Sequence, residues 1–325
     1  MMIVELLGKL VTIESLSRRE DRLVAFLVDF LKNEGLKAVI QEGEVKNLIV
    51  NPDADLWMVT HMDTVRIKRN YFFDGKFAYG TGVCDPKGSI VSILNAVKRI
   101  KKFNLGLAFL SDEEESGKGS EILINEYIPK KTIVMEPTSL RIANKNYGCF
   151  EIEVDVKGFS VHASIPEEGD NAIEKTFGLI NELAKTGIKF SVLEIKGGSD
   201  EYTIPDRCKV RFDFIFPPDK SVKELKEIVL PIAEKYGEFR VLEEYDGFLT
   251  EDFSVLEESI IKAGLEVKYA EMPSWTDAIH LRRAGSDVVV WGPGELKYCH
   301  TFNERIEVRE IEKASEVIVN LNDIV

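Results

Sequence analysis

The chain has 325 residues, of which 44% are hydrophobic, and a formal net charge of −14. That length supports a large apolar core and favours two domains over one. The acidic balance argues against nucleic acid as a partner, because phosphate binding needs a basic face. No segment reaches the roughly 18 apolar residues that a membrane span needs. The first residues also lack the basic region and cleavage site of a signal peptide, so we expect a cytoplasmic protein.

The first 35 residues have helical periodicity in two separate stretches. Between them, Ser17 and Glu20 have the spacing of a capping box, in which each side chain bonds the other residue's backbone. Gly35 is a typical helix end. We therefore expect two helices, with a capped restart at Ser17 and a stop at Gly35.

Several apolar runs that are typical of buried strands end at residues that can bind metal. Because ligands of open α/β sheets bind at the carboxyl edge of the strands, we expect these side chains to meet there. Strand periodicity also places His61 and Asp63 on one side of the chain. The runs and the residues that follow them are 56–60 with His61 and Asp63, 105–110 with 112–115, and 132–135 with Glu136.

A glycine-bracketed loop, 80–88, contains one further carboxylate, Asp85. Alone, Asp85 is more simply interpreted as a solvated turn residue, and 112–115 as a solvated charge patch. The patch, however, directly follows a buried strand, and only Glu115 is interpreted as its solvated member. Together these side chains form a set of hard and borderline ligands that suits a divalent metal.

Two metal ions about 3.5 Å apart need a bridging carboxylate, further ligands on each ion and a nearby base. Once the candidate ligands named below are assigned, Glu113 is left over as the candidate base. The chain has only 4 histidines, and we interpret His280, in a short predicted helix, as structural. The other histidines lie in glycine-rich or acidic motifs. The candidate ligands are His61, Asp85, Glu114, Glu136 and His300.

The pattern changes near Gly148, where apolar and acidic residues alternate as in a half-exposed antiparallel strand. The elements that follow have the order β-α-β-β-α-β, which indicates a small sandwich of one sheet and two helices. We therefore expect an α/β catalytic domain formed by 1–147 and 248–325, with an inserted α+β domain at 148–247. The four cysteines have no paired spacing, so we expect buried free thiols rather than a zinc finger or disulfides; they are Cys84, Cys149, Cys208 and Cys299.

With these motifs in place, the chain resembles the dinuclear zinc amidohydrolases and exopeptidases. This family includes acetylornithine deacetylase, succinyl-diaminopimelate desuccinylase and glutamate carboxypeptidase. The stretches that match occur in the family's order and cover nearly the whole chain. They are 61–65, 80–88, 112–114, 136–138, 158–164, 171–172, 292–294 and 300–304.

The resemblance implies a role for each candidate residue. His61 and Glu136 would hold one zinc ion, Glu114 and His300 the other, and Asp85 would bridge the two ions. Cobalt or manganese would also suit these ligands. The peptide bond between Asp85 and the next residue is cis in relatives. Since that residue is Pro86, which lowers the cost of a cis bond from roughly 3 to about 1 kcal/mol, we expect a cis bond here.

Three further residues receive roles from the same resemblance. Asp63 would orient His61 through the other ring nitrogen. Glu113 would deprotonate the bridging water and pass the proton to the leaving amine. The inserted domain would act as a lid and as the contact of a homodimer, in which His162 would reach the partner subunit's active site and stabilise the oxyanion. A plain loop histidine is the alternative for His162.

The resemblance implies hydrolysis of an amide that releases a free amino group from an N-acylated amino acid. The short chain and the 136–138 motif favour the branch of acetylornithine and acetyl-lysine deacetylases, which includes enzymes that release lysine or ornithine from an acidic amino-group carrier protein. The net charge argues mildly against such a carrier, unless the basic patch Arg66, Lys68 and Arg69 binds it. A desuccinylase, a dipeptidase or carboxypeptidase, a catalytically inactive binding relative and a dimerising scaffold are the alternatives.

Three positions depart from the family's pattern. Thr81 stands where relatives commonly have arginine, and Tyr202 where many have asparagine. Ile215 replaces an arginine that can bind a substrate carboxylate. Arg207 or Lys145 could substitute for it, so the contacts to substrate stay open.

Overall fold

The computed structural model describes residues 2–66 and 68–325, which divide into two compact units. Unit 1 runs to Asn144 and also contains Thr250–Met272 and Thr276–Val325. Unit 2 contains Lys145–Leu249 and Pro273–Trp275. Unit 1 is of the α/β class and unit 2 of the α+β class, so the predicted fold class is confirmed.

The described residues form nine α-helices and sixteen strands. The helices are α1 (Ile3–Thr12), α2 (Asp21–Asn33), α3 (Lys87–Val97), α4 (Lys118–Ile124), α5 (Ala172–Ala184), α6 (Val222–Glu234), α7 (Ser254–Lys262), α8 (Ala278–Arg283) and α9 (Val308–Ile324). The strands are β1 (Ala38–Gln41), β2 (Asn47–Val50), β3 (Leu56–His61), β4 (Phe72–Phe73), β5 (Phe77–Tyr79), β6 (Gly106–Leu110), β7 (Lys131–Val134), β8 (Ile142–Asn146), β9 (Gly148–Lys157), β10 (Ser191–Gly197), β11 (Arg207–Phe216), β12 (Gly237–Tyr245), β13 (Phe248–Leu249), β14 (Tyr269–Met272), β15 (Asp287–Val290) and β16 (Arg305–Glu307).

The main sheet of unit 1 has the strand order β1-β2-β6-β3-β7-β15-β8. The central strands β6, β3, β7 and β15 are parallel neighbours, and the outer pairs are antiparallel. Every residue of β3 is buried, as its continuous apolar sequence predicts for a sheet covered on both faces. Parallel central strands bring their carboxyl ends to a single edge, and this edge carries the polar residues predicted from the sequence.

Helices supply the rest of the core of unit 1. Leu7 of α1, Leu27 of α2, Ile93 of α3 and Ile318 of α9 belong to one buried apolar cluster with strand residues such as Met58. A small second sheet, β16-β5-β4, leads into the glycine loop. Within the described residues, no helix combines the length and apolarity that crossing a membrane requires.

The start of α2 differs from the prediction. The helix begins at Asp21, and the Ser17–Glu20 capping box does not form. Instead the Ser17 hydroxyl donates to Asp63 at 2.7 Å, and the Glu20 carboxylate accepts the backbone N–H of Asp112 at 3.0 Å. Both side chains therefore bind distant parts of the fold, which satisfy them better than a local cap. Gly35, with φ of 80°, follows the end of α2 as expected.

Unit 2 is an antiparallel sheet, β10-β11-β9-β12, with α5 and α6 packed on it. This is the predicted β-α-β-β-α-β order. Strand β9 alternates as expected, because its apolar side chains are buried with α5 and α6 while the acidic ones are half-buried. The four cysteines, two of them in this unit, are buried free thiols, which confirms that prediction.

Candidate metal centre

His61 is the last residue of β3 and is almost completely buried. Its Nδ1 lies 3.3 Å from Oδ1 of Asp63, and its Nε2 lies 2.8 Å from Oδ1 of Asp85. Oε1 of Glu136, which follows β7, is 3.9 Å from the same Nε2. The parallel pairing of β3 with β7 explains why these two strand ends meet.

Asp85 lies in the glycine loop that precedes α3, and its peptide bond to Pro86 is cis, as predicted. While Oδ1 faces His61, Oδ2 lies 3.7 Å from Nε2 of His300. His300 in turn lies 2.9 Å from Oε1 of Glu114. The two oxygens of Asp85 thus face two different histidines, which is the arrangement that a bridging carboxylate requires.

Asp63 is buried and connects the ends of two strands. Besides contacting His61, it accepts the backbone N–H groups of Glu113 and Glu114 at 3.1 and 3.0 Å. Burial favours the neutral acid, but the hydrogen bonds from His61, Ser17 and Glu114 outweigh it and lower the pKa of Asp63. A charged Asp63 therefore fixes both the imidazole and the segment that carries the candidate base.

Three other acids of the cluster have the opposite shift, because their pKa values are raised rather than lowered. Burial, together with the charges of Glu136, Glu114 and Asp277, raises the pKa of Glu113 well above its ordinary value. Burial and the neighbouring carboxylates likewise raise the pKa of Glu136 and of Glu114. When these buried carboxylates are charged, they need a compensating positive charge.

The donor set fits a divalent cation. Ligand atoms of His61, Asp85 and Glu114 lie within 4.8 Å of one another. Oε1 of Glu136 is buried without a hydrogen-bond partner among the described residues, so it has an unused lone pair that points into the cluster. Two imidazoles with several carboxylates are the ligands that zinc and similar metals prefer.

Sequence reasoning missed Glu304, which is buried beneath the glycine loop. Its Oε2 accepts the N–H of Gly82 at 2.9 Å, and its Oε1 accepts those of Cys84 and Asp85 at 2.9 and 3.2 Å. One carboxylate therefore holds the backbone of the loop from Gly82 to Asp85. Its place four residues after His300, inside a matching motif, was the only signal in the sequence.

Asp277 was missed as well. It precedes α8, where an aspartate normally caps the helix, yet its side chain makes no cap. Its carboxylate is buried, and its charge acts on both Glu113 and Glu136. The same helix carries His280, whose Nδ1 lies 2.9 Å from the Ser120 hydroxyl.

His162 and two of the positions that depart from the family's pattern, Thr81 and Ile215, lie outside this cluster of acids and histidines. His162 belongs to unit 2, where its exposed ring contacts Tyr202 with centroids 5.4 Å apart. The Thr81 hydroxyl accepts the backbone N–H of Arg69 at 2.7 Å. Ile215 lies on β11 and pairs with Cys149.

The metal-free protein should lose thermal stability between pH 6 and 7.5. Burial raises the pKa of Glu20, Asp277 and Glu304 to about 7 in the folded chain, from ordinary values of 4.5 or below. In this window the folded state binds more protons than the unfolded state, so the free energy of unfolding falls as pH rises. Calorimetry in chelator should show the melting temperature falling by about 3 °C or more. A flat or rising profile would contradict the assigned burial, and Asp277→Asn should flatten the slope.

The model of peptidase family M20/M25/M40 matches residues 57–323, which is most of the chain. A LysW-lysine/LysW-ornithine hydrolase of Sulfurisphaera tokodaii is 26% identical over 334 residues, which cover 98% of this chain and 94% of the relative. A succinyl-diaminopimelate desuccinylase of Nitrosomonas eutropha is 26% identical over 357 residues, with 95% and 94% covered.

Solved structures have the same fold. A tripeptidase from Staphylococcus aureus superposes with a TM-score of 0.84 at 20% identity and covers 99% of this chain and 97% of its own. A Bacillus subtilis protein, described as a dinuclear metal binding peptidase of this family, gives a TM-score of 0.76 at 14% identity and covers 99% and 97%. The chain therefore belongs to peptidase family M20/M25/M40 and is a metal-dependent hydrolase of amide bonds.

Proposed function

We propose that the chain is a dinuclear zinc amidohydrolase that releases the amino group of an N-acylated amino acid. The position of Asp85, with its two carboxylate oxygens facing different histidines, supports this proposal most. His61 and Glu136 would hold one ion, Glu114 and His300 the other, and Asp85 both. Cobalt or manganese would suit the same donors.

When bound, the two ions would polarise the scissile carbonyl and would lower the pKa of the attacking water. Glu113 is the base that takes the proton from this water. Its Oε2 lies 4.0 Å from Nδ1 of His61, at the edge of the cluster of ligands. Glu113 then gives the proton to the leaving nitrogen, so that the amine departs neutral.

Asp63 supports this chemistry through its neighbours. It holds His61 in one orientation and binds the backbone N–H of Glu113, so the base and a ligand move together. For His162 we propose stabilisation of the oxyanion in the partner subunit of a homodimer, with unit 2 as lid and dimer contact. Its exposed side chain is compatible with that role.

The names of the relatives narrow the class of possible substrates. They include enzymes that act on LysW-linked lysine or ornithine and on succinyl-diaminopimelate. We infer that this chain acts on an acylated lysine, ornithine or similar amino acid, either free or linked to an amino-group carrier protein. Acetylornithine and acetyl-lysine are the simplest substrates of this class.

An assay of zinc-loaded protein against a substrate panel tests the proposal. The panel contains acetylornithine, acetyl-lysine, succinyl-diaminopimelate, a γ-glutamyl-lysine peptide and several dipeptides. We expect a free amine from at least one acylated amino acid. Hydrolysis of dipeptides alone would instead indicate a dipeptidase. Two bound metals without turnover of any compound would contradict hydrolysis of free acyl-amino acids and favour a carrier-linked substrate or an inactive relative.

Removal of metal should abolish hydrolysis and lower the melting temperature, because the clustered carboxylates then repel one another without a counter-charge. Binding to the folded state stabilises it by about 2.7 kcal/mol when the free metal is at 100 times its Kd. Differential scanning fluorimetry before and after chelation measures this change, and added zinc should reverse it. Full activity at a metal content below one ion per chain would rule out the dinuclear mechanism.

A further inference from the structure

A cleft of about 490 Å³ lies beside the candidate metal centre within unit 1. Glu114, a proposed metal ligand, lines it together with three arginines, Arg18, Arg19 and Arg66. Its volume is in the range of sites that hold small-molecule ligands. Because Glu114 borders both the cleft and the metal centre, one molecule could occupy the cleft and reach the metals.

Arg18 is fixed at the wall of this cleft. Its backbone has a φ of 64°, in the left-handed region, and its N–H donates to Glu20 at 3.0 Å. Its Nε donates to the fully buried carboxylate of Asp112 at 3.2 Å. A side chain held in this way has less conformational freedom to lose when a ligand binds.

Arg19 and Arg66 contribute more accessible donors. Among the described residues, the Arg19 guanidinium makes no hydrogen bond or ion pair, and its charge acts on the more distant Glu14. Arg66 donates from Nη2 to Glu115 at 2.9 Å. Since a guanidinium has five N–H donors, both arginines can bind a further acceptor.

The charges in the cleft favour an anion. The chain as a whole is strongly acidic, yet the lining of this cleft has three arginines and two carboxylates, those of Glu114 and Glu115. Arg18 is already paired with Asp112 and Glu44, which lie outside that lining. Glu115 pairs with Arg66, and Glu114 contacts His300 and is a proposed metal ligand. Arg19 is thus left for an external partner, and a carboxylate matches the planar fork of a guanidinium.

We propose that this cleft binds a carboxylate on the acyl group of the substrate, such as the free carboxylate of a succinyl or γ-glutamyl group. The inference rests on the proposed amide hydrolysis and narrows its substrates to those with an anionic acyl group. A neutral acyl group such as acetyl leaves Arg19 without a partner and is therefore the poorer substrate.

Steady-state kinetics of zinc-loaded Arg19→Gln with Nα-succinyl-lysine and Nα-acetyl-lysine test this directly. The substitution should raise the KM for the succinyl compound about tenfold more than the KM for the acetyl compound, because a charge-assisted hydrogen bond is lost. Arg22→Gln is the matched control, since it removes the same charge from an exposed position of α2 outside the cleft. The inference would be overturned if Arg19→Gln changed the KM of both substrates equally. It would also be overturned if the ratio of the two KM values were the same in Arg19→Gln and Arg22→Gln.

A binding measurement separates this inference from the proposed function. If neither compound is hydrolysed, amide hydrolysis fails for these acyl groups, but the cleft can still be tested. Calorimetry with glutarate on the zinc-loaded protein should then give a Kd about tenfold weaker for Arg19→Gln than for Arg22→Gln. Equal affinity in the two variants would overturn the anion site whether or not hydrolysis occurs.

Discussion

The Glu113→Gln variant should lose between about 10² and 10⁴ of kcat while it keeps its metal. Glutamine has nearly the same shape but cannot take a proton from the attacking water. Glu113 lies beside His61, while the shorter contacts within the cluster join the histidines to Asp85 and Glu114. Steady-state kinetics and metal analysis of the purified variant give the two quantities.

The control for Glu113→Gln is Glu121→Gln, which removes an exposed carboxylate of α4 that pairs with Lys118. It should leave kcat within twofold of the unsubstituted chain. Two outcomes would contradict the assignment of Glu113 as the base. Retention of activity would require another proton acceptor, and loss of one metal ion would make Glu113 a ligand.

The candidate ligands at the strand ends were predictable because local patterns determine where the strands end. A continuous apolar run predicts a central strand, and parallel central strands bring their carboxyl ends to a single edge. His61 and Glu136 follow directly from this rule, since β3 and β7 are parallel neighbours. The alternation in β9 predicted one buried face of unit 2 in the same way.

Contacts between distant segments were not predictable in this way. Ser17 and Glu20 have the local spacing of a cap, but Asp63 and the backbone of Asp112 bind them instead. Asp277 sits where a helix cap belongs, yet its carboxylate is buried near the site. Local propensity competes with such partners, and buried polar groups take whichever partner satisfies them more fully.

The contact of Glu304 with the glycine loop is the clearest case of a contact that depends on tertiary structure. More than 200 positions separate Glu304 from the loop that it holds. Its carboxylate fixes the direction of Asp85, the residue on which both proposed ions depend. We therefore expect Glu304→Gln to weaken zinc binding by about 10- to 100-fold, as is usual when a residue that orients a ligand is changed. The glutamine amide keeps one acceptor oxygen and turns an N–H₂ group towards backbone N–H donors.

Competition with a chromophoric zinc chelator measures this affinity, and circular dichroism shows whether the variant is folded. Glu310→Gln is the control, because Glu310 is likewise a partly buried carboxylate that accepts a backbone N–H, but that N–H belongs to Gly294 at 2.7 Å and not to the 80–88 loop. It should bind zinc as the unsubstituted chain does. Unchanged zinc affinity in folded Glu304→Gln would mean that the glycine loop holds Asp85 without help. Equal weakening in both variants would point to a general loss of stability, since Glu304, unlike Glu310, bonds the backbone N–H of Asp85.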